Sequence, residues 1–294
     1  MHGPTFFLLG AKVKSPPIEC AGVNRYAQLF RLGNCLIAVL GLMLAVLIAS
    51  GQGIADHWLQ VLISSGVVFF FVAGGNSLND YLDREVDKIG HPQRPIPSGR
   101  VSPRTALNIS IGAFITAFVI SLLLYDIISI AIVASAIAIM LLYELRTKAL
   151  GLSGNLSIAW LTGGLFLLGG AVVGSLDKTV AIAAMAFLAT LGREIVKDIQ
   201  DMDADFDRRT LPKRIGKRNA GIIGSLAFLG AVGLSFQPYL AGSFGIWYLT
   251  AVLAADGIFI YSSVVHFQNP KKGQTWAKIG MVAALFAFLI GGIS

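Results

Sequence analysis

An all-α integral membrane protein, folded as a single bundle of nine transmembrane helices, is the fold class this sequence predicts. Three observations predict it. Of 294 residues, 55% are hydrophobic and 13% charged, with mean hydropathy +0.73, where soluble domains carry about a quarter charged residues. Nine apolar stretches approach the ~20 residues that a helical membrane crossing needs. Finally, 22 of the 23 Lys and Arg lie in the N-terminal segment, on alternate connections or at the adjoining span edges, the bias of cytoplasmic loops.

In chain order, residues 1–24 contain Pro4, Pro16 and Pro17 and read as irregular. Phe6–Gly10 is too short for the apolar core of a secretory signal. Spans are then expected at 29–50, 58–78, 105–124, 126–143, 155–175, 178–197, 219–237, 243–266 and 275–293. The third and fourth are separated only by Tyr125–Asp126, which requires a tight turn. Glycines within the spans let helices approach closely in lipid. Connections 79–104, 144–154, 193–218 and 267–274 are long or charged, whereas 51–57, 125–126, 176–178 and 238–242 are short and contain only Lys178 among basic residues. This asymmetry puts the N-terminus and the charged connections in the cytoplasm and, with an odd number of spans, Ser294 outside. The chain thus reads as one transmembrane domain over residues 1–294.

Composition also argues against other classes. A net charge of +7 in so apolar a chain belongs to span-flanking residues rather than to nucleic-acid binding. Cys20 and Cys35 form neither a disulfide framework nor a metal-ligand spacing, and are expected to be packing residues. His2, His57, His91 and His266 are scattered, which gives haem or zinc ligation little support. No obligate protein partner is evident.

Two acidic stretches carry the chemistry. Asn79, Asp83 and Asp87 recur every four residues after an apolar run, which puts them on one helical face. Like charges at that spacing weaken a bare helix, so a divalent cation is the expected reason for them. Mg²⁺ takes one or two carboxylates and shares its remaining shell with water and phosphates. Asp198, Asp201 and Asp205 form a second face before a basic loop. Both sets would lie at span ends on the same side of the membrane, placed to clamp a diphosphate between metal ions. Asp80, Glu85, Asp203 and Asp207 fall off the two faces and are expected to be solvated or to support the ligands.

The ordered set Asn79-x-x-x-Asp83-x-x-x-Asp87, Arg94-Pro95-Ile96-Pro97-Ser98-Gly99, Asp201-x-x-x-Asp205, Leu211-Pro212 and Ile215-Gly216 resembles the UbiA superfamily of intramembrane prenyltransferases over nearly the whole chain. The linker between Asp205 and Leu211-Pro212 is slightly shorter than in that pattern. The resemblance implies a central cavity for the prenyl tail and a cytoplasmic cap from the loops after helices 2 and 6. It further implies Mg²⁺ held by Asn79, Asp83, Asp87, Asp201 and Asp205, with Asp198 as a further candidate, and a catalytic role for the four aspartates Asp83, Asp87, Asp201 and Asp205. Arg94, Lys148, Lys197, Arg208 and Arg209 are candidates for the donor's diphosphate. Arg31 and Asn34, at the start of the first span, are candidates for the acceptor pocket, with Tyr143 and Asn155 as similar cases.

Motif wording most resembles the archaeal lipid branch of that superfamily. This implies an isoprenoid diphosphate donor, geranylgeranyl diphosphate, and a prenylated glycerol phosphate acceptor, geranylgeranylglyceryl phosphate, with membrane lipid as the surroundings. An aromatic, quinone-precursor acceptor is the alternative. A cation transporter is a remote one, because transporter ion sites lie near the bilayer midplane and these acids lie at span ends.

Overall fold

In a computed structural model the chain is described for residues 24–202 and 209–293, and the described residues are helical with no strand. Thirteen α-helices follow in order: α1 Arg25–Phe30, α2 Leu32–Ser50, α3 Trp58–Leu82, α4 Arg84–Gly90, α5 Pro103–Leu122, α6 Ile127–Leu145, α7 Leu152–Ala171, α8 Leu176–Asp201, α9 Leu211–Ile215, α10 Lys217–Leu234, α11 Gln237–Leu240, α12 Ile246–Val265 and α13 Pro270–Ile293. Each apolar stretch expected from the sequence coincides with one of the long helices. Among the described residues, eight segments are long and apolar enough to cross a membrane, the first being Leu32–Leu82. That segment contains both α2 and α3, joined by a 3₁₀ turn at Gly51–His57.

Local signals explain the breaks. Gly51 stops α2 with φ 58° and ψ −134°, a conformation that only glycine adopts without strain. Between α5 and α6 the chain reverses through Tyr125 at φ 52°. Asp126 then caps α6 by accepting from the Ser129 amide at 2.7 Å, as N-cap carboxylates do. The tight turn is therefore present. Ser102 caps α5 in the same way, and Pro103 follows at its first position.

The long helices pack in sequence, α2 on α3, α3 on α5, and onward to α12 on α13, and α13 returns to α2 to close the bundle. Inside that circuit α2 also packs on α7, and α8 on α13. One apolar cluster joins Leu42 and Val46 of α2, Val67 and Val68 of α3, and Leu168 of α7. Another joins Phe166, Ile182, Tyr248 and Phe288 across α7, α8, α12 and α13. Small residues set the α2–α7 spacing, because a methyl group at Gly169 would collide with Ala45. A cavity of about 330 Å³ is left between α2, α7, α8, α10, α12 and α13, lined among others by Asn34, Gly41, Phe166, Met185, Asp256 and Phe288. Its walls are apolar except for a few polar groups.

The polar side chains gather at one end. There the end of α3 meets the turn after α6, the start of α7 meets the end of α8, and α10 meets the end of α12. Over α3 and α5, a small cluster of Leu29, Ile96, Val101 and Ala106 seats the loop that follows α4.

Candidate active site

The first acidic stretch does not run along one continuous helix. α3 ends at Leu82, Asp83 bends at φ −83° and ψ 2°, and α4 begins at Arg84. The four-residue step nevertheless survives, because the Asp83 amide donates to Asn79 O at 2.9 Å and the Asp87 amide to Asp83 O at 2.8 Å. Asn79, Asp83 and Asp87 therefore still share one side.

Basic groups from three other segments converge on that side. Arg31 lies at the break between α1 and α2 in a left-handed conformation, φ 49° and ψ 61°. From there its guanidinium donates to Asp80 Oδ1 at 2.6 Å and to Asn79 Oδ1 at 3.1 Å. Arg94, in the loop after α4, donates to Asp87 Oδ2 at 2.5 Å and lies 3.8 Å from Asp80. Lys148, in the 3₁₀ turn after α6, donates to Asp83 Oδ2 at 2.7 Å and to Glu144 Oε2 at 3.1 Å. Four carboxylates thus face three basic groups. Partial burial makes these pairs stronger than surface ion pairs.

Two members of this network were not singled out by sequence spacing. Asp80 lies off the main face, yet only 2% of its side chain is exposed. It is a buried ion-pair partner and not a solvated residue. Glu144, 5% exposed, accepts from Asn79 Nδ2 at 3.2 and 3.3 Å through its two oxygens. A lone acid at a span end carries no pattern, and its four-residue offset from Lys148 was the available signal. Glu85 behaves as expected: it is exposed, and the Lys88 hydrogen bond holds its carboxyl below the usual range.

The second stretch is described in part. Asp198 accepts from Asn155 Nδ2 of α7 at 2.9 Å, and Asp201 is the half-buried last residue of α8. Lys197 is half-buried on the same helix, while Arg209 is exposed. Asp205 and Arg208 lie outside the described residues, as do Asp203, Asp207 and Cys20. Cys35 is buried as expected and donates to Phe30 O.

One short stretch of chain ties the two acidic sets together. Glu144 and Lys148 touch the first set, Ala149 O accepts from the Arg209 amide at 2.9 Å, and Asn155 holds Asp198. Gly151, between them, has φ +66°, and a Cβ there would lie 2.7 Å from both Arg209 O and Leu211 N. Tyr143 is half-buried next to Glu144. Asn34, one turn beyond Arg31, is exposed and lines the cavity wall. Deeper in the wall, Asp256 of α12 accepts from Ser235 at 2.8 Å. An acid inside an apolar span is itself a sequence signal.

The donor set suits a hard divalent cation, since it offers carboxylate and amide oxygens. Asp83 and Glu144 already share one cationic group, the Lys148 ammonium. Among the described residues no group of three His, Cys, Asp or Glu is arranged to hold a metal by itself. An ion completing its shell with phosphate oxygens and water needs no such cage.

A family model described as "UbiA prenyltransferase family" matches residues 38–290. Digeranylgeranylglyceryl phosphate synthase of Methanothrix thermoacetophila is 39% identical over 268 residues, covering 90% of this chain and 97% of that protein. The same-named protein of Natronomonas pharaonis is 38% identical, with 92% and 98% covered. A solved structure of digeranylgeranylglyceryl phosphate synthase aligns with TM-score 0.82 at 33% identity, over 92% of this chain and 98% of that one. An Archaeoglobus fulgidus UbiA homologue bound to DMAPP and Mg²⁺ shares the fold, with TM-score 0.65 at 15% identity over 90% and 99% of the two chains.

Proposed function

The chain belongs to the UbiA prenyltransferase family and is a multi-pass membrane enzyme, and from that premise we propose that it makes the second ether bond of an archaeal lipid. A geranylgeranyl group is transferred from geranylgeranyl diphosphate to the free hydroxyl of geranylgeranylglyceryl phosphate. The allylic C–O bond to the diphosphate breaks, a C–O bond to the acceptor forms, and the hydroxyl proton is released. The observation that carries this reading is the network at the end of α3, where carboxylate and amide oxygens meet Arg31, Arg94 and Lys148 beside an apolar cavity.

In this reading Asn79, Asp83, Asp87, Asp201 and Asp205, with Asp198 added, hold Mg²⁺. When bound, the metal supplies Lewis-acid stabilisation of the leaving diphosphate. Arg94, Lys148, Lys197, Arg208 and Arg209 bind phosphate oxygens, for which charge-assisted donors are suited. Arg94 and Lys148 are supported most directly, because each already spans a motif carboxylate. Arg31 and Asn34 orient the acceptor at the cavity mouth, with Tyr143 and Asn155 as the further candidates. The apolar walls keep water from the reacting allylic carbon. The whole chain acts as one domain with nine spans, α2 and α3 each crossing once, and its polar end and N-terminus face the cytoplasm.

The test is a product assay on the purified full chain in lipid, with geranylgeranyl diphosphate and Mg²⁺. Geranylgeranylglyceryl phosphate is supplied in one arm, 4-hydroxybenzoate and dihydroxynaphthoate in the other. A diether formed only with the glycerol acceptor is the expected result. A prenylated aromatic would overturn the acceptor and keep the enzyme class.

A further inference from the structure

Glu144 comes from a helix that contributes neither acidic motif, yet its side chain is only 5% exposed and touches two expected site residues at once. Its carboxylate accepts from Asn79 Nδ2 at 3.2 and 3.3 Å and from Lys148 Nζ at 3.1 Å. We propose that Glu144 is the positioning residue of the donor site, setting the orientation of the Asn79 amide and the place of the Lys148 ammonium. The proposal rests on the donor-site reading above and adds a residue to it.

Two consequences follow from the chemistry of the partners. An asparagine ligates a cation only through its oxygen, and its amide is free to rotate unless its N–H₂ group is held. With Nδ2 between the carboxylates of Glu144 and Asp83, Oδ1 is turned the other way, toward the Arg31 guanidinium. The amide oxygen is then fixed beside the Arg31 guanidinium, at 3.1 Å, where a cation ligated by it would take the place of that hydrogen bond. Lys148, for its part, follows the end of α6 at Leu145, where Arg146 leaves the helix at φ −142°. A flexible four-carbon chain on a turn has no fixed place for its charge. Glu144 and Asp83 supply two points of attachment, and only Glu144 is deeply buried, at 5% against 33%. Glu144 thus keeps the ammonium at the site while Asp83 exchanges it for another cation.

The experiment measures binding of inorganic pyrophosphate with Mg²⁺ to the full chain by calorimetry, alongside KM and kcat for geranylgeranyl diphosphate. Glu144→Gln keeps the shape but turns an N–H₂ group toward Lys148 or Asn79. Its expected effect is at least tenfold weaker pyrophosphate binding and a matching rise in KM, with the unfolding temperature close to wild type. Glu144→Asp, which retains the charge one methylene short, should recover part of the loss. Lys148→Met removes one of the two partners and leaves Asn79, so Glu144→Gln added to Lys148→Met should weaken binding by a smaller factor than Glu144→Gln does in the wild type. Pyrophosphate affinity unchanged within twofold in Glu144→Gln, or fully additive losses in the double variant, would overturn the assignment of Glu144 alone. A wild-type chain that binds no pyrophosphate in Mg²⁺ would overturn the donor-site reading and this assignment with it.

Discussion

Asp80 is 98% removed from solvent and paired with an Arg31 whose side chain is one-third exposed, at 2% and 32% exposure respectively. Removing one partner of a buried ion pair leaves a desolvated charge, which costs more than the pair itself contributes. Arg94 at 3.8 Å offsets part of this, and the exposure of Arg31 screens part of the rest. Arg31→Ala is therefore expected to destabilise the protein by about 1–3 kcal/mol, read as a fall in the thermal unfolding midpoint in detergent. Asp83→Ala behaves differently, because Asp83 is one-third exposed at the rim and Lys148 retains Glu144. It should unfold near the wild-type temperature while turnover falls to background, and the same holds for Asp201→Ala at the end of α8. Substantial turnover by either variant at saturating Mg²⁺ would remove that aspartate from the metal set.

At the scale of elements, the turn from α6 to α7 joins the two acidic sets, and its weakest point is Gly151. With φ +66° and ψ −115°, it occupies a backbone region that is strained for any residue with a Cβ. The added carbon would also press on Arg209 O and Leu211 N. Gly151→Ala should cost about 1–3 kcal/mol from backbone strain alone and lower activity as well, measured by thermal unfolding and product formation together. The junction of α12 and α13 has its own sensitivity. His266 is buried, with Nε2 bonded to Ser225 at 2.8 Å and Nδ1 without a partner among the described residues. Ser225 donates onward to Ser263 O, so Nε2 carries the proton of a neutral ring. Burial pushes the His266 pKa down. The unfolded chain then binds the extra proton first, so stability should be constant above pH ~6.5 and decline as pH falls below it. Unfolding midpoints between pH 8 and 5 test this, and His266→Gln should flatten the decline.

For the whole molecule, the charge pattern supports the proposed orientation: 22 of the 23 basic residues lie in the N-terminal segment, in the four charged connections or at their span edges. A cysteine introduced at Lys213 should react with an impermeant thiol reagent only from the cytoplasmic side, and one at Ser243 only from outside. The reverse result would invert the topology. The helices, their order and the two acidic segments were legible in the sequence, because span length and hydropathy are local properties that the bilayer imposes on each stretch separately. Asn79, Asp83 and Asp87 were legible for the same reason, since a four-residue step repeats along a single segment. What the sequence could not specify is which distant side chains meet. Asp80, spaced like a solvated residue, is buried by Arg31 from a helix break 49 residues away. Asn155 turns to Asp198, 43 residues on, and Glu144 reaches Asn79 from another helix 65 residues on. Such pairings depend on how the helices close into a bundle, which brings α6, α7 and the α1–α2 break around the end of α3. The sequence alone determined a membrane bundle with two acidic sets at one end. The tertiary structure decided their partners, because ion pairing between helices depends on distance in space and leaves no period along the chain.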